Sequence, residues 1–115
     1  MLMLEIVRTP DTITDCNCSI CRRLGARWAY YTSGEVVITA AADAVGDYAW
    51  GDRSLAFHHC RICGCPTHWS SLTPGHDRMG VNSRLMAPEA LTRTRVRWLD
   101  GADTWTYRDE TDAGT

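Results

Sequence analysis

Lysine is missing from this 115-residue chain, so arginine carries all 12 of its basic charges. The imbalance reflects base composition and not a binding surface, because 14 acidic residues bring the formal charge to −2. Affinity for a phosphate backbone rests on a dominant positive field. The alternating Arg93, Arg95 and Arg97 are followed by Asp100, Asp103, Asp109 and Glu110, so they read as a solvated face and a nucleic acid partner is not expected. Long apolar runs are missing too. Glu5 and Arg8 interrupt the N-terminal apolar residues short of signal-peptide length, and no basic segment precedes them. Neither a secretory leader nor a membrane span is expected, which assigns the chain to the cytoplasm. Repeats and linkers are also lacking. Residues 1–115 are therefore read as a single domain, with a loose tail over 109–115.

What is present is an ordinary globular composition, 44% hydrophobic and 23% charged. A chain of this length buries about two-thirds of the surface it exposes when unfolded, so its core is thin and a metal clip would help it. It also contains six cysteines. In a reducing compartment these point to metal or redox chemistry and not to a disulfide framework.

β-branched and aromatic residues bounded by turn formers predict many short strands. Leu4–Arg8 and Thr12–Thr14 flank Pro10–Asp11 and suggest a hairpin. Arg27–Tyr31 and Glu35–Thr39 flank Ser33–Gly34 and suggest a second. A helical turn at Ala40–Ala44, a strand at Asp47–Trp50, and strands at Leu55–His59, Thr67–Ser70 and Met79–Asn82 follow. Pro88–Leu91 fits one helical turn with proline first, and Val96–Leu99 is the last expected strand. The fold class is mainly β and antiparallel, with five tryptophans supplying much of the core.

The chemistry lies in two cysteine motifs. Cys16-x-Cys18-x-x-Cys21 gathers three thiols in one tight stretch, with Asn17 and Ser19 placed to hydrogen-bond sulfur. Cys60-x-x-Cys63 is a second knuckle, where Gly64 permits the backbone turn that aims amides at sulfur. Thiolates are strong ligands for zinc, so Cys16, Cys18, Cys21, Cys60 and Cys63 are the candidate metal ligands. Cys65 is either a further ligand or a small residue behind the knuckle. Among the histidines, His59 beside Cys60 is the one kept as a candidate, since His58 and His59 point to opposite faces of a strand. Arg22 and Arg23, directly after Cys21, either bind carboxylates of an acidic small molecule or offset thiolate charge. Asn82 and Arg84 are either a substrate clamp or part of a turn.

The stretches Asp15 to Arg23, Tyr48 to Gly51, His59 to Trp69 and Val81 to Arg84 together resemble the glutathione-dependent formaldehyde-activating enzyme family, also called the centromere protein V family. The resemblance runs from about Leu4 to Trp105. It implies an antiparallel β-tent fold pinned by zinc, with a catalytic zinc on Cys16, Cys18 and Cys21. The reaction implied is addition of glutathione to formaldehyde to give S-hydroxymethylglutathione, or its reversal by carbon–sulfur cleavage. In the family a structural zinc is held by an N-terminal C-x-C pair together with the second knuckle. No such pair stands before Leu4 in this sequence. Three arrangements stay open: one zinc shared by both knuckles, a catalytic zinc with Cys65 or water fourth, or an oxidised second knuckle.

Two functions compete: a zinc-dependent carbon–sulfur lyase taking glutathione or another small thiol, and a non-catalytic zinc-stabilised binding module. An exchangeable coordination position favours the first and a closed four-ligand site the second. A sheet edge left unpaired at the N-terminus would suit a homodimer.

Overall fold

The computed structural model describes residues 2–41, 43–49 and 55–108. The expected tail over 109–115 and Trp50 with Gly51 lie outside the described residues. Among the described residues ten strands dominate: β1 Leu2–Ile6, β2 Thr12–Cys16, β3 Trp28–Thr32, β4 Val36–Ala40, β5 Val45–Tyr48, β6 Leu55–Cys60, β7 Pro66–Ser71, β8 Arg78–Asn82, β9 Arg95–Leu99 and β10 Tyr107–Arg108. One α-helix, α1 (Ser19–Leu24), joins them, with short 3₁₀ turns at Ser33–Glu35, Ser83–Leu85 and Pro88–Leu91. Strands β1 and β4 form a two-stranded sheet, and the other eight pair in the order β10-β9-β2-β3-β8-β7-β6-β5.

The chain is mainly β, as its turn-punctuated sequence predicts, but the large sheet is mixed and not antiparallel throughout. β2 runs parallel to β9, with Ile13 opposite Val96 and Cys16 opposite Leu99. Neither N-terminal hairpin forms. Carbonyls of the Pro10 turn are taken by other partners: the Tyr31 hydroxyl donates to Arg8 O, Thr94 Oγ1 to Pro10 O and Arg95 N to Asp11 O. β1 instead pairs with β4, Leu4 opposite Ile38. The second expected hairpin is broken at Ser33–Glu35, where a capping box between Thr32 and Glu35 winds a 3₁₀ turn between β3 and β4. The predicted strands from Leu55 to Asn82 form an antiparallel meander, β6 to β7 to β8. β4 occupies Ala40, the start of the expected helical turn, and Pro88–Leu91 is a 3₁₀ turn with proline leading it.

By their internal packing the residues form two compact units. Among the described residues one takes in 2–8 with Tyr30–Val81, the other Thr9–Ala29 with 82–108. In the first, Trp69 is buried with its indole laid over Gly80, where an added Cβ would fall 2.1 Å from Nε1. In the second, Ile13, Ala26, Ala29 and the 2% exposed Trp28 make a core that also contains Cys16 and Cys21. Trp98 is half-buried beneath the Arg27 guanidinium, and Trp105 stands 69% exposed, so core packing accounts for only some of the tryptophans.

Candidate metal centre

Three local structures bring the first cysteine group together. Cys16 is the last residue of β2 and points inward; its successor leaves the sheet, with Asn17 N bonded to Leu99 O at 3.2 Å. Cys18 is the N-cap of α1, where extended backbone lets its side chain turn back and accept the Cys21 N–H at 3.4 Å. Cys21 sits in the first turn of that helix and is buried. The helix ends at Gly25, whose φ of 67° is the left-handed conformation glycine adopts without penalty. The tight stretch that gathers the three thiols is thus a strand end, a cap and a helix. All three sulfurs lie within 4.8 Å of one another. Thiolates sharing one tetrahedral ion stand about 3.8 Å apart, so the group is close enough together to hold a metal ion.

Each sulfur also receives an N–H. Cys16 Sγ accepts from the backbone of Cys18 and Gly101, Cys18 Sγ from the backbone of Cys21, and Cys21 Sγ from the buried Trp28 indole at 3.4 Å. These donors favour the charged form of sulfur. The Cys16 thiol is pulled down to about 6, chiefly by the hydrogen bond that Cys21 donates to it, against the opposing effect of burial. Cys21, holding that shared proton and buried, is pushed up. One proton therefore leaves this group easily, the next is held, and a cation that replaced it would relieve the repulsion.

The wall of the site comes from the β9–β10 connection. Asp100 is buried and accepts from Asn17 Nδ2 at 3.1 Å, and Asn17 Oδ1 accepts the Ala102 N–H at 3.0 Å. Asn17 therefore clamps this loop and does not bond sulfur, contrary to expectation. Clamping brings Gly101 so near that a Cβ there would sit 2.5 Å from Cys16 Sγ. Sequence reasoning missed both Gly101 and Trp28. A glycine two residues past the last predicted strand was a visible signal, but nothing local tied it to the cysteines.

The remaining candidates fall elsewhere. Arg22 and Arg23 are exposed on the last turn of α1, close in sequence to Cys21. Cys60 ends β6 and Cys63 and Cys65 lie in the β6–β7 connection, and no second group of three ligating side chains among the described residues gathers within 4.8 Å. None of the six cysteines is in a disulfide. His59 lies over Gly46, where a Cβ would fall 2.5 Å from its ring. His58 bonds Asp47 at 2.6 Å and Ser70 at 2.7 Å. His68 is buried, shares a 2.9 Å hydrogen bond with Thr67 Oγ1, and stacks on His58 with centroids 4.3 Å apart. Asn82 Oδ1 accepts the Arg84 N–H at 3.1 Å, which gives this pair a turn-forming part. Among the described residues no helix is long and apolar enough to cross a membrane.

No family model and no curated protein matches the chain. It is similar to a Rhodobacter sphaeroides protein of known crystal structure, at 26% identity and a TM-score of 0.65, over 83% of this chain and 89% of that one. That likeness bears on the fold and names no chemistry.

Proposed function

We propose that Cys16, Cys18 and Cys21 hold a catalytic zinc ion, and that the chain is a carbon–sulfur lyase of the glutathione-dependent formaldehyde-activating type. It would join glutathione to formaldehyde or a related aldehyde. The carrying observation is a set of three mutually close sulfurs, each with its own N–H donor. Three protein ligands leave one position of a tetrahedral ion for an outside ligand. When bound, zinc supplies Lewis acidity that lowers the pKa of an incoming thiol and polarises an aldehyde oxygen.

The chain's own residues do the rest. Trp28, Gly101 and the α1 backbone orient the sulfurs and share their charge. Cys18 is the least buried of the three ligands, so it marks the solvent side of the group. Arg22 and Arg23 put two guanidinium groups next in sequence to Cys21, where they suit the two carboxylates of glutathione. In the reaction the sulfur–carbon bond forms as the carbonyl π bond opens, and the thiol proton ends on the oxygen.

The test is exchange spectroscopy by NMR on an equilibrium mixture of formaldehyde, glutathione and their adduct. Metal-loaded protein should speed exchange, whereas metal-free and Cys16→Ser protein should leave it at the uncatalysed rate. Equal exchange in all three samples would reject the lyase in favour of the zinc-stabilised binding module. Replacing Arg22 and Arg23 together by alanine should weaken glutathione binding by calorimetry with metal content unchanged. Equal affinity would remove them from the substrate site.

A further inference from the structure

Strands β5, β6 and β7 of the first unit carry a row of polar side chains that the proposed lyase does not use. Asp47 on β5 stands opposite His58 on β6, and His58 stands opposite His68 on β7. Ser70 follows His68 by two residues, so strand alternation puts it on the same face. Its own partner across the sheet is the buried Ala56, whose methyl adds little bulk beside the hydroxyl. Diagonal neighbours on antiparallel strands stand roughly 7–8 Å apart, a gap that a side chain as long as His58 can span.

His58 uses both ring nitrogens: Nδ1 lies 2.6 Å from Asp47 Oδ1, and Nε2 lies 2.7 Å from Ser70 Oγ. The partners assign the tautomer. An ionised carboxylate only accepts, so Nδ1 carries the ring hydrogen and the bare Nε2 accepts the Ser70 hydroxyl proton. The ring is held in other ways too. His68 stacks on it at 4.3 Å with 22° between the planes, and Thr67 Oγ1 donates to His58 O at 3.2 Å. The sheet register shifts between His58 and His59, and such bulges re-aim side chains. The Asp47 side chain is 67% exposed and that of His58 only 15%, while Ser70 is half-buried. The base is thus sheltered and its orienting carboxylate is wet.

A hydroxyl bonded to an imidazole that a carboxylate orients is how a serine nucleophile is activated. We propose that Ser70, His58 and Asp47 form an acyl-transfer site that takes the acyl group of small activated carboxylic esters and passes it to water. Ser70 Oγ attacks the carbonyl carbon; an Oγ–carbon bond forms and the hydroxyl proton moves to His58 Nε2. The bond from carbon to the leaving oxygen then breaks, and that oxygen takes the proton from Nε2. Water attacks the acyl carbon next, giving its proton to Nε2. The Oγ–carbon bond breaks, Oγ regains a proton, and a carboxylic acid departs. Ester and water become acid and alcohol. Asp47 touches no reacting atom and is a positioning residue that keeps Nε2 bare. Activated esters suit the site because a stable leaving anion departs readily from the tetrahedral adduct. The inference goes beyond the lyase and uses none of its metal ligands.

The test uses the full chain with its metal and two probes. An alkyl fluorophosphonate labels activated serines and spares thiols: an Oγ–phosphorus bond forms, fluoride leaves, and the adduct persists through digestion. Trypsin releases Ser70 in the peptide from Ile62 to Arg78, where fragmentation should place the label on Ser70. Ser71→Ala should label like wild type. His58→Gln should slow labelling by about 100-fold or more, with its fold checked by circular dichroism. Asp47→Asn should slow it as well, and should move the ring hydrogen from Nδ1 to Nε2 in nitrogen-15 NMR. Hydrolysis of p-nitrophenyl acetate should drop in Ser70→Ala to the share contributed by thiols. Labelling no faster in native than in urea-unfolded protein, label on other hydroxyls instead, wild-type labelling of His58→Gln, or ester hydrolysis unchanged in Ser70→Ala would overturn the proposal.

Discussion

Trp28 is not a ligand, yet its indole N–H reaches the Cys21 sulfur at 3.4 Å from the most enclosed aromatic position of its unit. Groups in this position fix ligand orientation, and their loss typically costs about 10–100-fold in metal affinity. Trp28→Phe should therefore weaken metal binding by about that factor in a chelator competition, while the ring still fills the core. An unchanged affinity would leave Trp28 a packing residue. Gly101 acts through what it lacks: Gly101→Ala places a methyl 2.5 Å from Cys16 Sγ and should lower affinity in the same assay. His68 supplies a pH effect. Burial first, and then charge on neighbouring His58, lowers it to about 4 from 6.5. Between those values the unfolded chain binds a proton that the folded chain refuses. This contribution is therefore intact above about pH 6.5 and is lost as the pH falls toward about 4, costing up to about 3 kcal/mol. Urea unfolding at about pH 7 and about pH 5 should show the loss in wild type and a shallower one in His68→Gln.

At the scale of elements, the β6–β7–β8 meander shows what a sequence tells most openly. Each strand is a short β-prone run, each connection carries Gly or Pro, and neighbours in sequence are neighbours in the sheet. The N-terminal half was less open. β-prone residues in β1 to β4 mark strands correctly but say nothing about partners, and here β1 skips to β4 while β2 lies between β3 and β9. The short helix was hidden because Ser19–Leu24 is only six residues, too few for an apolar period, and its cap is a cysteine. Close packing between neighbouring strands gives a direct check. Gly80 on β8 lies beneath the Trp69 indole of β7, so Gly80→Ala must move either the ring or the backbone. It should destabilise the fold by about 1–3 kcal/mol, read as a lower urea midpoint with an unchanged slope. A wild-type midpoint would show that the contact yields freely.

For the whole molecule, the candidate site was legible where it is local and hidden where it is assembled over distance. Cys16, Cys18 and Cys21 announce themselves by spacing, since five intervening peptide bonds suffice to bring them together. Gly101 arrives through the pairing of β9 with β2, and Trp28 through the pairing of β3 with β2, which no single stretch of sequence encodes. The second knuckle was legible as a turn, with Gly64 in the conformation expected of it. The first cluster is built into the core of its unit, so metal removal should cost stability as well as chemistry. A thin-cored chain of this size should melt at a lower temperature after chelation and recover when metal is restored. Cobalt titration followed by absorption tests the central claim most directly, because thiolate-to-metal bands report both the number of sulfur ligands and any open position. With Cys63→Ser to silence the second turn, one cobalt per chain should give bands scaled to three thiolates that shift when glutathione is added. Bands that survive unchanged after Cys18→Ser, or an absence of binding, would contradict a metal centre at Cys16, Cys18 and Cys21.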